Sequence, residues 1–247
     1  MKKSFVIAFS LLLSLPVYAS FSLGETHLSN VTVPNVNALG DTTLFDVKTE
    51  EVSVTGPLTF KNLTVAHTGT LTGPVEGTNG QFETLVVTGP LKFETLTVQK
   101  DTVITGDASG KDGNFLNLTV VGLFNLTQTT CQNLIVTGSV ETTKLIVRDK
   151  TISVGNFNAA ESQFGDMTLT AEKVLLKETK AQNILLKKNK ENGVLSWLDE
   201  GHPQELRLMK NSIIEGDVTF ESEKGKIFLE EGSQIKGTIK GAVVQNL

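Results

Sequence analysis

Gly24, Gly40, Gly56, Gly73, Gly89, Gly106, Gly122, Gly138 and Gly155 follow one another along this chain at steps of 16 or 17 residues. A fixed interval of that length constrains the fold more than any other feature, because self-similarity at a constant period is the mark of stacked repeat units. Several of these glycines close a short β-branched or apolar step: VTG at 54–56, LTG at 71–73, VTG at 87–89, ITG at 104–106 and VTG at 136–138. Longer segments return as well. VTGPLTF at 54–60 reappears as VTGPLKF at 87–93, two intervals on, with LTGPV at 71–75 marking the interval between them.

A second ruler runs beside the first. The string apolar-x-x-apolar-x-apolar occurs as LSNVTV from 28, FKNLTV from 60, FETLVV from 82, FETLTV from 93, FLNLTV from 115, CQNLIV from 131, TTKLIV from 142 and FGDMTL from 164, with TEEVSV from 49 as a variant. Its steps are mostly 11 or 22, so both rulers share a unit of about 5.5 residues, three of which make one glycine interval. Within each string the side chains alternate as a half-buried strand requires. The sequence therefore predicts an all-β fold, a parallel β-helix of triangular cross-section with 16–17 residues per coil. Short strands recur three to a turn, each pairing with its equivalent one coil away. The marked glycines take one corner of the triangle, where positive φ or close backbone approach suits glycine. The proline of each TGP fixes φ as the next side begins. Phe60 and Phe93, and likewise Phe82 and Phe115, lie two coils apart and are expected as interior stacks filling every second layer. Cys131 takes a phenylalanine-like position and is expected as a small buried hydrophobe.

Residues 1–19, MKKSFVIAFSLLLSLPVYA, have the charged start, apolar stretch and small −3 and −1 residues (Val17, Ala19) of a cleaved export signal. Removing Lys2 and Lys3 takes the formal charge from −5 to −7. That acidity argues against nucleic acid and anionic lipid as partners. No later segment is long and apolar enough to span a bilayer. With Cys131 as the single cysteine, no internal disulfide can hold the fold. The expected location is the periplasm, the cell surface or the medium of a bacterium.

The repeat texture covers residues 20–186. A polar stretch at 187–203 contains KKNKENG, Trp197 and His202 and reads as an insertion or loop. Strand-like alternation resumes at 204–247, where SIIEGDV at 212–218 and SQIKGTI at 233–239 echo each other 21 apart. This last region, with GKIFLEEGSQIKGTIKG at 225–241, resembles the bactofilins, bacterial polymer-forming proteins, and the glycine-marked coils resemble them more loosely. The resemblance implies a right-handed triangular β-helix and end-to-end or lateral association of a rigid rod. The export signal departs from the family's usual cytoplasmic or inner-membrane placement, so an intracellular filament is not implied.

Residues able to perform chemistry are scattered. His27, His67 and His202 lack metal-ligand spacing. GDASGKDGN at 106–114 places Asp107 and Asp112 among small residues, but Lys111 stands where a calcium loop needs oxygen and no Glu closes it. Asp101, Asp107, Asp112 and Asp166 follow no coil period, which disfavours a carbohydrate-cleaving carboxylate pair. Asn30, Asn62, Asn117 and Asn125 open N-x-T sequons that repeat ancestry explains without sugar. The expectation is thus no catalytic residue, no cofactor and no metal. The chain reads as an exported structural rod for adhesion, scaffolding or self-assembly, its partner a second copy or a cell-surface polymer or glycan. The alternative is a carbohydrate-binding or carbohydrate-cleaving β-helix, for which Trp197 is the first residue to inspect. The uncharged tail GAVVQNL at 241–247, with Val243 and Val244, is the candidate association end or a cover for the last coil.

Overall fold

The computed structural model describes residues 20–188 and 203–247. The expected export signal at 1–19, and Trp197 and His202 within the expected insertion, lie outside the described residues. Two compact units divide at Gly122/Leu123. The boundary does not fall at the polar stretch 187–203. The described residues form β-strands, turns and bends and no helix.

The first unit holds β1 (Ser20–Leu23), β2 (Thr26–Leu39), β3 (Thr42–Thr55), β4 (Leu58–Thr72), β5 (Val75–Thr88), β6 (Leu91–Thr105) and β7 (Ala108–Val121). Each pairs in parallel with the next, at register steps of 16 or 17 residues, so the unit is a β-solenoid. The expected short strands are merged here: one element of 14 or 15 residues runs round a whole coil. It keeps its ladder bonds because the corners bend by single residues. Three sides are nonetheless visible in the burial. In β3 the inward residues are Thr42 and Leu44, then Val47 and Thr49, then Val52 and Val54, all buried.

The three corners differ in how they are made. The marked glycines form one, with φ between +98° and +148° in this unit. At Gly56 a Cβ would lie 2.6 Å from the carbonyl oxygen of Gly40, one coil below. Its own N–H donates to Thr72 O at 2.7 Å. Successive coils therefore touch through bare backbone. The second corner is a left-handed residue that need not be glycine: Asn30, Asp46, Asn62, Asn79, Thr95 and Asp112 all have φ between 52° and 63°. Asn and Asp tolerate this region best. Their side chains form a ladder, Asn62 Nδ2 donating to Asp46 Oδ1 at 2.6 Å and Asn79 Nδ2 to Asn62 Oδ1 at 2.7 Å. At the third corner the register shifts, between Thr49 and Val52, Val65 and Thr68, Phe82 and Leu85, and Val98 and Asp101. From β3 onward two or three residues turn this corner in alternate coils, which is why the period there alternates between 16 and 17.

The core follows a large-small rule. Phe60, Gly77, Phe93 and Gly110 occupy successive layers of one column. Leu63, Gly80, Leu96 and Gly113 occupy another. The phenylalanines fill every second layer because glycine leaves the layer between them empty. Rings from adjacent sides meet edge to face, Phe60 with Phe82 at 6.1 Å and Phe93 with Phe115 at 5.9 Å between centroids.

The second unit is also a parallel β-solenoid, built of shorter strands. These are β8 (Phe124–Thr127), β9 (Thr130–Thr137), β10 (Val140–Thr143), β11 (Ile146–Val154), β12 (Phe157–Ala160), β13 (Gln163–Thr170), β14 (Lys173–Lys177), β15 (Lys180–Ala181) and β16 (Ile184–Leu186). They continue as β17 (Glu205–Met209), β18 (Ile213–Ile214), β19 (Val218–Phe220), β20 (Gly225–Leu229), β21 (Gln234–Ile235), β22 (Ile239–Lys240) and β23 (Ala242–Asn246). Of these, β9, β11 and β13, of 8 or 9 residues, run round two sides and the others cover one side each. Across the polar stretch the pairing continues: β14 pairs β17 with Lys173 opposite Glu205, and β16 pairs β19 with Ile184 opposite Val218. Gln204 Nε2 donates to Ala171 O and Lys187 O, tying together the points where the chain leaves and rejoins the coil. The 21-residue echo is a coil register, with Ile214 opposite Ile235 and Val218 opposite Ile239.

A hydroxyl column, buried at Ser162, Thr179 and Ser212 and half-buried at Ser233, replaces apolar packing beside the second corner of this unit. Ser162, Thr179, Ser212 and Ser233 each accept from the backbone N–H one coil earlier, at 3.0–3.4 Å. A buried polar group costs stability unless it is hydrogen-bonded, and this column satisfies donors that the left-handed turn leaves over.

Candidate interaction surface

The titratable residues singled out by the sequence are placed apart, most of them at corners. His27 Nε2 lies 2.8 Å from Glu25 Oε1 on an exposed stretch. His67 Nδ1 is 3.5 Å from Glu83, which also pairs with Lys100 at 2.7 Å. The Lys100 ammonium, assisted by His67, holds the Glu83 carboxyl below the usual carboxylate range. Asp101 accepts from Asn117 at 2.9 Å and Asp166 from Asn183 at 2.8 Å, so these acids belong to corner ladders. Asp112 is a left-handed corner. Lys111, in the segment weighed as a calcium loop, pairs with Glu94, which raises the ammonium pKa. Among the described residues no group of three or more His, Cys, Asp or Glu could hold a metal ion. No helix among them is long and apolar enough to cross a membrane.

Cys131 is fully buried and free. Burial pushes its thiol from an ordinary 9.0 up to about 12. A thiol kept neutral is a poor nucleophile, so an Ellman assay at pH 8 is expected to read no thiol until denaturant is added. Immediate labelling of the folded protein would refute this. The raised pKa also has a stability sign: between pH ~9 and ~12 the unfolded chain loses a proton that the folded chain keeps, so folding weakens as pH rises through that window.

The surface is organised by side. In the first unit, the side after the glycine corner carries charges linked between coils, Glu76 with Lys92 at 2.9 Å and Glu94 with Lys111, and Lys61 sits over the Phe45 ring at 5.4 Å. The second side carries Lys48, with Glu50 and Glu83 at its edge. The third side, leading into the glycine corner, presents Asn37 and Leu39, Ser53 and Thr55, Thr70 and Thr72, Val86 and Thr88, Val103 and Thr105, and Thr119 and Val121. These two outward positions of each coil carry no charge; the acids Glu51 and Asp101 stand at the edge of the side, before its first inward residue. The outward pairs stack in register from coil to coil. The sequence carried the signal at the first and third positions before each marked glycine, but there the triplets served only as a ruler.

At the C-terminal end of the second unit, β23 pairs in parallel along β20, with Val244 opposite Ile227. The tail thus covers the edge of β20 and presents its own. Ile227 is fully buried, whereas Val244 in the same column is 38% exposed and Val243 on the outer face 66%.

No known family model matches the chain, and no match is found among curated proteins or solved structures.

Proposed function

We propose that the chain is an exported, non-enzymatic β-solenoid that acts as a rigid structural or interaction element, related in kind to the bactofilin polymers its C-terminal repeats resemble. The observation that carries this reading is the constancy of register. Coil after coil offers the same groups at the same spacing, a surface matched to a repeating partner and poorly suited to a single small molecule. The exposed edge of β23, with Val243 and Val244, offers backbone groups and apolar side chains of the type that pair with another chain.

Two measurements test the reading. Purified protein is mixed with insoluble cell-envelope polymers, and pelleting and released reducing ends are both followed. Pelleting, or self-association in solution, without release of reducing ends is expected. Release of reducing ends would replace the reading with the carbohydrate-cleaving one, and neither pelleting nor association would remove it. Light scattering of a chain ending at Gly241 addresses the tail: a smaller assembly, or lower stability, is expected relative to the full chain. Equal mass and equal stability would exclude the tail from both roles.

A further inference from the structure

We infer that the uncharged third side of the first unit is a lateral docking face for a second copy of this chain, packed face to face across a two-fold axis; this deepens the structural reading above. The face runs from Asn37 and Leu39 on β2 to Thr119 and Val121 on β7, and every outward side chain on it is short or branched and uncharged. Thr55, Thr72, Thr88 and Thr105 form an unbroken threonine column on four consecutive coils. Along one edge of this strip stand Glu51, His67, Glu83, Lys100 and Asp101; along the other, at the glycine corner, Pro57, Pro74 and Pro90 lie between Asp41 and Asp107. Charge depleted at the centre and gathered at the rim is the anatomy of a protein interface.

The occupant follows from what the face lacks. An uncharged strip leaves a charged partner's groups desolvated and unpaired. No aromatic ring points outward from it, so it has no platform on which sugar rings could stack. The same face of a second copy meets both conditions: it is uncharged, and its rungs repeat at an identical spacing, so the columns can interdigitate as stacked sheets do. A two-fold pairing uses one patch twice and closes on itself. With coils ~4.8 Å apart and ~3.3 Å per residue, the strip measures ~25 Å by ~13 Å. Two such strips bury well under the ~1,200 Å² of a stable complex, so the expected dimer is weak and depends on concentration.

Sedimentation equilibrium of the mature chain from ~5 to ~500 µM reads this directly, a range chosen for an interface of that size. The mass is expected to rise toward the dimer. The variant Thr72→Lys/Thr105→Lys places charges two coils apart on the strip and is expected to weaken association at least tenfold, since like charges meet across the two-fold. Thr64→Lys/Thr97→Lys, with the same charges on the second side, is expected to associate as the wild type does. A wild type monomeric throughout overturns the inference, and one that stays monomeric yet pellets with a neutral polysaccharide transfers the face to a glycan. Equal weakening by both double variants also overturns it. So does loss of the dimer only in the chain ending at Gly241, which would leave the tail contact and the structural reading standing. As a second measurement that does not depend on the lysine variants folding, Thr88→Cys is expected to give a covalent dimer under mild oxidation while Thr59→Cys on the first side does not. Equal cross-linking of the two overturns the inference.

Discussion

Gly89→Ala is expected to lower stability by about 3 kcal/mol or more, while Gly24→Ala costs about 1 kcal/mol. Both residues have positive φ, +136° and +98°, so both variants carry the backbone strain of a side chain in a glycine region. They differ in what the new methyl would meet. At Gly24 nothing lies within 4 Å. At Gly89 the methyl would run into the carbonyl oxygen of Gly73, and backbone cannot step aside as a side chain can. Relief would require the coils to separate at this corner, straining the bond from Gly89 N–H to Thr105 O, now 2.8 Å. At about 2–4 °C per kcal/mol for a chain of this size, the two variants should differ by several degrees in Tm. Equal melting temperatures would show that the corner does not bring successive coils into backbone contact.

That corner was legible in the sequence because only glycine satisfies both demands, positive φ and no room for Cβ. The second corner makes the first demand alone, and its side chain points outward, half-buried or exposed. Asn30, Asp46, Asn62 and Asn79 fit a left-handed turn by propensity, but Thr95, Lys144 and Glu161 occupy equivalent turns with φ of 63°, 57° and 49°. A position filled by so many residue types leaves no mark, and Asn62 in its NLT string looked like part of a sequon. The third corner was visible only indirectly, as the alternation of 16 with 17. The interior glycines were hidden for a different reason: Gly77 and Gly80 in VEGTNG look like loop residues until the register places Phe60 beside them. The uncharged third side was written in the residues before each corner glycine. It becomes a surface only when six coils are aligned and the other sides are seen to carry charge.

The interior glycines lead to the other large effect. Gly77 is in extended strand conformation without positive φ, so its backbone accepts a side chain and valine would favour the strand. Space forbids it: a Cβ at Gly77 would fall within the Phe60 ring. Gly77→Val is therefore expected to cost about 3 kcal/mol or more, at the upper end for overpacking, because Phe60 is itself buried against Phe82 and cannot swing outward. Phe60→Val alone should also cost about 3 kcal/mol, through the cavity left over Gly77. Combined, the two valines exchange volume between adjacent layers of one column, so the double variant should be more stable than the sum of the single changes by about 1–3 kcal/mol. Urea unfolding of the four proteins gives the coupling. Simple additivity would mean that the ring does not occupy the layer Gly77 leaves open, and the large-small rule would then fail as the reason phenylalanine recurs on every second coil.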